Sequence, residues 1–356
     1  MNISAIECNC HAEGSYSKAC DVDGKCLCKP LYTGDKCDQS KTKFLIAAGS
    51  MKTKTEIVDP LIDNYTCQGK IKPFPFTLFS PSGGIIGAKT PFICGGQKTK
   101  DNDHSLNPHC YTLDQDTREW KKDAKATLRT PRYGAGSVIL GTKLVMAGGA
   151  YIDGYGLYPT NSIELLSPGQ ESRVLDVILP IALKELCAVF WDEDTIFVVG
   201  GLDQNGDSRA ETYIINIKTS KVINGPKLKT ARYKHACQEL QIEGQNYVVV
   251  VGGEKGFGIL KSTEVLDKEN LDQGWMSGDD LKRSGLNTLQ MVGDGHGSLY
   301  AMGGYNDLNG KSDIYKYQCK GDISTCVWIK TDAASPVRGG FVALPITNDL
   351  AQNLCQ

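Results

Sequence analysis

Phe92-Ile93-Cys94-Gly95-Gly96, Leu144-Val145-Met146-Ala147-Gly148-Gly149, Ile196-Phe197-Val198-Val199-Gly200-Gly201, Val248-Val249-Val250-Val251-Gly252-Gly253 and Leu299-Tyr300-Ala301-Met302-Gly303-Gly304 are five copies of one pattern, an apolar run ending in a glycine pair. A degenerate sixth copy, Phe44-Leu45-Ile46-Ala47-Ala48-Gly49, precedes them. Counted between second glycines, the steps are 47, 53, 52, 52 and 51 residues, a spacing that belongs to repeat arrays with a period of roughly 50. Each copy continues into a second short run of strand-forming residues: Glu56–Asp59, Tyr111–Asp114, Ile163–Leu166, Thr212–Ile215, Thr263–Leu266 and Asp313–Lys316. Trp120, Trp275 and Trp328 follow 22 to 24 residues after their glycine pairs. Several short strands per period, separated by turns and lacking a 3.6-residue rhythm, make a four-stranded blade. Glycine at the end of a strand near a crowded axis permits an approach that a side chain would block.

Counting strands locates the ring closure. The first copy begins directly at Lys43, with no innermost strand ahead of it, whereas Val337–Leu344 is an innermost strand with no blade of its own. Joining the two completes blade one and removes the open edges of a linear array. The expectation is an all-β six-bladed propeller over 43–346, with 347–356 as a C-terminal tail. Over about 300 residues these glycine pairs, second strands and tryptophans resemble the kelch family.

Six of the 14 cysteines lie in the first 37 residues, as Cys8, Cys10, Cys20, Cys26, Cys28 and Cys37. So short a stretch cannot build its own apolar core, and disulfides are the usual substitute. Six cysteines allow fifteen connectivities. The spacing, with Tyr32 and Gly34 in the last loop, resembles EGF-like modules of the laminin type over residues 1–40. That resemblance implies the pairs Cys8–Cys20, Cys10–Cys26 and Cys28–Cys37. Zinc is disfavoured, because paired C-x2-C knuckles are missing and His11 is the one nearby imidazole; Ile6-Glu7 fits the calcium-binding EGF pattern poorly.

Among the other eight cysteines, Cys319 and Cys326 flank a hairpin, Cys94 and Cys110 fall on consecutive strands, and Cys187 and Cys237 on innermost strands of adjacent blades. Cys67 and Cys355 are left to tie the tail to blade one. For Cys94, Cys187 and Cys237 the competing reading is buried free thiols, which pack well. Asn2 and Asn64 head N-x-S/T sequons, the acceptor pattern for glycosylation. A net charge of −2 gives no overall attraction to nucleic acid, and no run is long enough to span a bilayer. Met1–Glu7 lacks the apolar core of a signal peptide, so the chain is expected to be a mature or partial form of a secreted or cell-surface protein.

Propeller loops after the glycine pairs and before the innermost strands open on one face, where binding residues gather. Arg132, Lys184, Arg232, Arg283 and Arg338 recur where innermost strands begin, Arg132-Tyr133 and Arg232-Tyr233 as a repeated pair. They are candidates for gripping an anionic ligand, since guanidinium suits bidentate carboxylate recognition; bonding to loop carbonyls is the structural alternative. Tyr151, Tyr155 and Tyr158 are candidates for stacking on a sugar or peptide. No catalytic residues, metal site or cofactor are expected. The histidines His11, His104, His109, His235 and His296 are too scattered for a copper centre. Asp203-Gln204-Asn205-Gly206-Asp207 starts like a calcium loop but lacks the closing glutamate. An EGF-like module beside a kelch propeller resembles attractin-like proteins. The resemblance implies extracellular adhesion, with a protein or glycan partner. The rival is a secreted carbohydrate-active enzyme, a sugar isomerase or oxidase.

Overall fold

The strand that ends in each glycine pair is the second strand of a blade, hydrogen-bonded to an innermost strand on one side and to the next outer strand on the other. The computed structural model describes residues 10, 15–20, 26–28, 32–33, 36, 39–40, 43–50, 52–62, 67, 69–100, 103–154, 156–282, 287–295, 297–305, 312–335 and 339–356. They form six blades. The innermost strands are Ser82–Ile86, Gly136–Leu140, Cys187–Asp192, Ala236–Ile242, Asn287–Gly293 and Val342–Ile346. The last of these pairs with Lys43–Ala47, matching Val342 to Ala47 and Ile346 to Lys43, so the C-terminal strand closes blade one. Its strand begins at Val342 rather than Val337. Among the described residues blade one has three strands where blades two to six each carry at least four.

In blades two, three and four the first glycine of the pair is fixed by the neighbouring blade. A Cβ on Gly95 would lie 2.7 Å from the Arg132 carbonyl, on Gly148 2.6 Å from that of Leu183, and on Gly200 2.6 Å from that of Arg232. Those same carbonyls accept hydrogen bonds from the second glycines Gly96, Gly149 and Gly201 at 2.8, 2.8 and 2.9 Å. All these glycines have positive φ. The pair therefore turns the chain and docks its backbone on the next blade, which a side chain would prevent. Farther out, the tryptophans latch blades together: the indole nitrogens of Trp120 and Trp328 donate to the hydroxyls of Thr55 and Thr263 in the preceding blades, and that of Trp275 donates to the Pro226 carbonyl.

The expected tail is instead a helix, Asn348–Cys355, capped by the Thr347 hydroxyl, which accepts from the Leu350 amide. Leu350, Ala351 and Leu354 are buried against Leu45, Ile57, Ile71 and Phe74. Disulfides join Cys67 to Cys355, Cys94 to Cys110, Cys187 to Cys237, Cys319 to Cys326, and Cys10 to Cys26 in the N-terminal module. Among the described residues no cysteine is free. The implied pairs Cys8–Cys20 and Cys28–Cys37 involve side chains outside those described, and so do the sequon residues Asn2 and Asn64. Among the described residues no helix is long and apolar enough to cross a membrane.

Candidate functional site

At the start of each innermost strand one residue takes a left-handed conformation, and the six residues join head to tail in a closed circuit of backbone hydrogen bonds. The Gly134 amide donates to Ser80 (3.0 Å), Glu185 to Gly134 (2.7 Å), Lys234 to Glu185 (2.9 Å), Thr288 to Lys234 (2.9 Å), Gly340 to Thr288 (3.4 Å) and Ser80 to Gly340 (2.8 Å). Their φ values lie between 47° and 61°. Each blade contributes one member, so the circuit surrounds the axis and defines the mouth of the propeller. Thr288 there is β-branched and left-handed, a costly conformation that persists only when the surroundings enforce it. One residue earlier, Phe79, Tyr133, Lys184, Tyr233 and Asn287 pair with Gln97, Ala150, Leu202, Glu254 and Tyr305, the residues that follow the glycine pairs. Gly339 accepts from the Ser50 amide in the same way.

Arg132 and Arg232 are not part of the exposed face. Both are fully buried, and all five N–H donors of each are used inside the protein. Arg132 donates to the carbonyls of Thr130, Gly148 and Ser162, the Ser162 hydroxyl and the Glu164 carboxylate. Arg232 repeats the set with Thr230, Gly252, Ser262 and Glu264. The expectation that they grip a ligand is corrected here: they hold the start of the innermost strand to the glycine turn of their own blade, and no donor is left over. Tyr133 is buried against Phe79, its ring 5.9 Å away, and its phenol is pushed up to about 12 by burial and by the Glu185 charge. Tyr233 is half-buried and donates to the Gly256 carbonyl. Burial and its bond to Glu254 push its phenol up as well. Lys184 is half-buried with no bonded partner for its ammonium among the described residues. Arg283, Arg338 and Tyr155 lie outside the described residues.

Two residues that the sequence reading passed over stand at the mouth. Glu185 is 8% exposed, and its carboxyl lies where a side chain at position 134 would be, 2.9 Å from that virtual Cβ, while bonding to Ser80. Burial pushes it up to about 7, against the pull of Lys234 and Lys184 and with a further push from Glu254. Phe257 is fully exposed at the tip of the hairpin formed by Glu254–Lys255 and Gly258–Ile259. Its signal was present as an aromatic between Gly256 and Gly258. The corresponding hairpin of blade three pairs Ala150–Asp153 with the start of Gly156–Leu166 and sets Tyr151 opposite Tyr158, ring centroids 6.3 Å apart. Ile152, Leu157 and Tyr158 on it are exposed. Between these two hairpins blade four has only a tight turn, in which Asp203 accepts from the amides of Asn205 and Asp207 and pairs with Arg209.

His235 is buried and held far on the neutral side, down to about 3, by burial and the Arg232 charge. His109 is half-buried on an outer strand and His104 is exposed. Among the described residues no group of metal-binding side chains gathers.

The N-terminal spacing of cysteines matches the Laminin EGF domain family over residues 8–52. The N-terminal module is a laminin-type EGF domain. The match to this EGF domain runs beyond Cys37 and across Lys43–Ala47, which the fold gives to blade one. A solved structure titled "Structure of YjhT" has 17% sequence identity and a TM-score of 0.59, covering 78% of this chain and 90% of its own; the likeness is one of fold. No curated protein matches. A laminin-type EGF domain together with several disulfides is the chemistry of an oxidising, extracellular setting.

Proposed function

We propose that the chain is a secreted or cell-surface binding protein whose partner is another protein, docked on the mouth face between the hairpins of blades three and five. The carrying observation is the placement of Phe257, Ile152, Leu157 and Tyr158, exposed on two hairpins that stand on one face around a mouth closed by backbone bonds. Large apolar and aromatic side chains held on rigid turns are the anchors from which protein interfaces draw most of their energy. Aliphatic anchors favour a protein over a glycan, which is gripped by hydroxyl-directed polar groups. The attractin-like resemblance supports the same extracellular role.

The test is a screen of the full chain against a displayed collection of extracellular domains and, in parallel, a glycan array. Any protein binder is then measured against the double variant Leu157→Asp and Phe257→Asp, whose sites are exposed and whose fold should be intact. Binding is expected to weaken at least about a hundredfold, since two lost anchors are each worth about 2 kcal/mol or more. Glycan binding alone, or a protein binder indifferent to these changes and sensitive to Ile178→Asp on the outer rim, would move the site elsewhere.

A further inference from the structure

Lys234 acts on two acids. Its ammonium is 3.3 Å from both oxygens of Glu254, and it is also the foremost cation acting on Glu185. Glu254 is the first residue of the blade-five hairpin, so its pairing fixes the base of the turn that carries Phe257. The backbone bond from Lys234 to Glu185 belongs to the circuit at the mouth, so a change at Glu185 acts on Lys234 without any intervening element. We propose that Glu185 and Glu254 compete for Lys234, and that this competition makes the mouth a proton-operated switch on the blade-five hairpin. The inference rests on the reading of this face as the binding face, because the hairpin is one of its two raised walls.

With Glu185 protonated, the carboxyl is a neutral group lying over Gly134 and bonded to Ser80, and Lys234 is left to Glu254. Loss of the proton puts a buried anion under the pull of Lys234 and Lys184, and Lys234 answers it more strongly. Among the other described groups that face this carboxyl, Lys184 is the further cation and acts on it less strongly than Lys234, Ser80 from blade two is neutral, Tyr133 from blade three and Tyr233 from blade five hold their protons tightly, and Glu254 repels it. Asn287 from blade six donates to Glu254 and remains with it when Lys234 turns away. Lys184 stands on the same turn as Glu185 and adds attraction without a link to the hairpin. That Glu185 is held near neutrality rather than in the ordinary carboxylate range places the exchange within the physiological interval.

The full-length protein alone provides the test, by amide hydrogen exchange over residues 254–259 at pH 5.5 and 8.5, corrected for intrinsic rates. Protection of the hairpin is expected to fall about five- to tenfold at the higher pH, the effect of weakening one charge-assisted bond. Glu185→Gln should keep the low-pH protection at both values, and Glu254→Gln should show the weakened protection at both. A hairpin equally protected at both pH values in the unaltered protein, or a fall that persists in Glu185→Gln, overturns the switch. Carbon-13 titration of the Glu185 carboxyl supplies an independent check, and a midpoint below about 5, in the ordinary range, also overturns it. Because none of these measurements uses a partner, a working switch with no partner on this face separates failure of the binding reading from failure of the switch.

Discussion

At the scale of single residues, the two buried arginines make the strongest claim on stability. A guanidinium has five donors, and Arg232 uses all five on groups of its own blade while Glu264 also accepts from the amides of Lys229 and Thr230. Arg232→Met leaves Glu264 and three carbonyls without their cation, which should cost about 3–5 kcal/mol. Arg232→Lys should recover only part, because a lysine cannot reproduce the planar fork. Urea denaturation of the two variants checks this, and a change below about 1 kcal/mol would show that the arginine is replaceable. Glu185 and His235 shape the pH dependence from opposite sides. Glu185 has its folded pKa raised from 4.5 to about 7, so the stability it allows is complete while it is protonated and declines as pH rises across that interval, by up to about 3 kcal/mol. His235 has its folded pKa lowered from 6.5 to about 3, so its term is complete above pH 6.5 and is lost as pH falls. The difference in stability between the unaltered protein and Glu185→Gln should therefore shift in favour of the variant between pH 5 and 7. Denaturation midpoints at four pH values measure it, and parallel curves would mean that the carboxyl ionises freely in the folded state.

At the scale of elements, the glycine pair joins one blade to the next, and two alanine substitutions separate its two demands. Gly200→Ala adds a Cβ 2.6 Å from the Arg232 carbonyl at φ +57°, whereas Gly206→Ala adds one at φ +82° with nothing within 4 Å. The second change carries only the left-handed penalty of about 1–2 kcal/mol. The first must also push the next blade away, so its cost should exceed the second by about 2 kcal/mol or more, given how poorly close-packed interiors absorb added volume. Equal costs from thermal denaturation would reduce the glycine pair to a turn signal. The strands and the closure were legible in the sequence because a glycine pair and alternating apolar residues report local backbone demands, which repeat with the period. The mouth was much less so. Arg132 and Arg232 looked like ligand-binding cations because they recur beside the loop face, yet the recurrence was itself the clue to a scaffold role. Each has a serine 30 residues and a glutamate 32 residues downstream, Ser162 and Glu164 or Ser262 and Glu264, and identical partners in two blades suit a repeated strut better than a site at a single axis. Glu185 was missed because no local rule announces that its neighbour in space is Gly134, fifty-one residues earlier. The helix Asn348–Cys355 was read as a tail although Leu350 and Leu354 are spaced for one helical face, because eight residues are too few to show a period.

At the scale of the whole molecule, the circuit of six backbone bonds and the C-terminal strand close the propeller non-covalently, and the Cys67–Cys355 disulfide closes it covalently. The two cysteines are 288 residues apart, against 16 for Cys94–Cys110. On the chain-entropy account a cross-link stabilises by limiting the unfolded chain, with about 3 kcal/mol for a loop of fifteen or so residues and about 5 for one spanning most of the chain. The long bridge also keeps the helix packed: Leu350, Ala351 and Leu354 lie in the same apolar cluster as Cys67 and the strand Lys43–Ala47, so freeing Cys355 lets the helix fray from the seam where Val342–Ile346 joins blade one. Replacing Cys67 and Cys355 together by serine should therefore lower stability more than replacing Cys94 and Cys110, by about 2 kcal/mol, and should raise hydrogen exchange first in Val342–Ile346. Exchange measured under non-reducing conditions distinguishes this from a general loosening. If the serine pair at 94 and 110 proves the more damaging, or if the closing strand stays as protected as the other innermost strands when the long bridge is gone, then the backbone circuit and the strand pairing hold the ring shut by themselves.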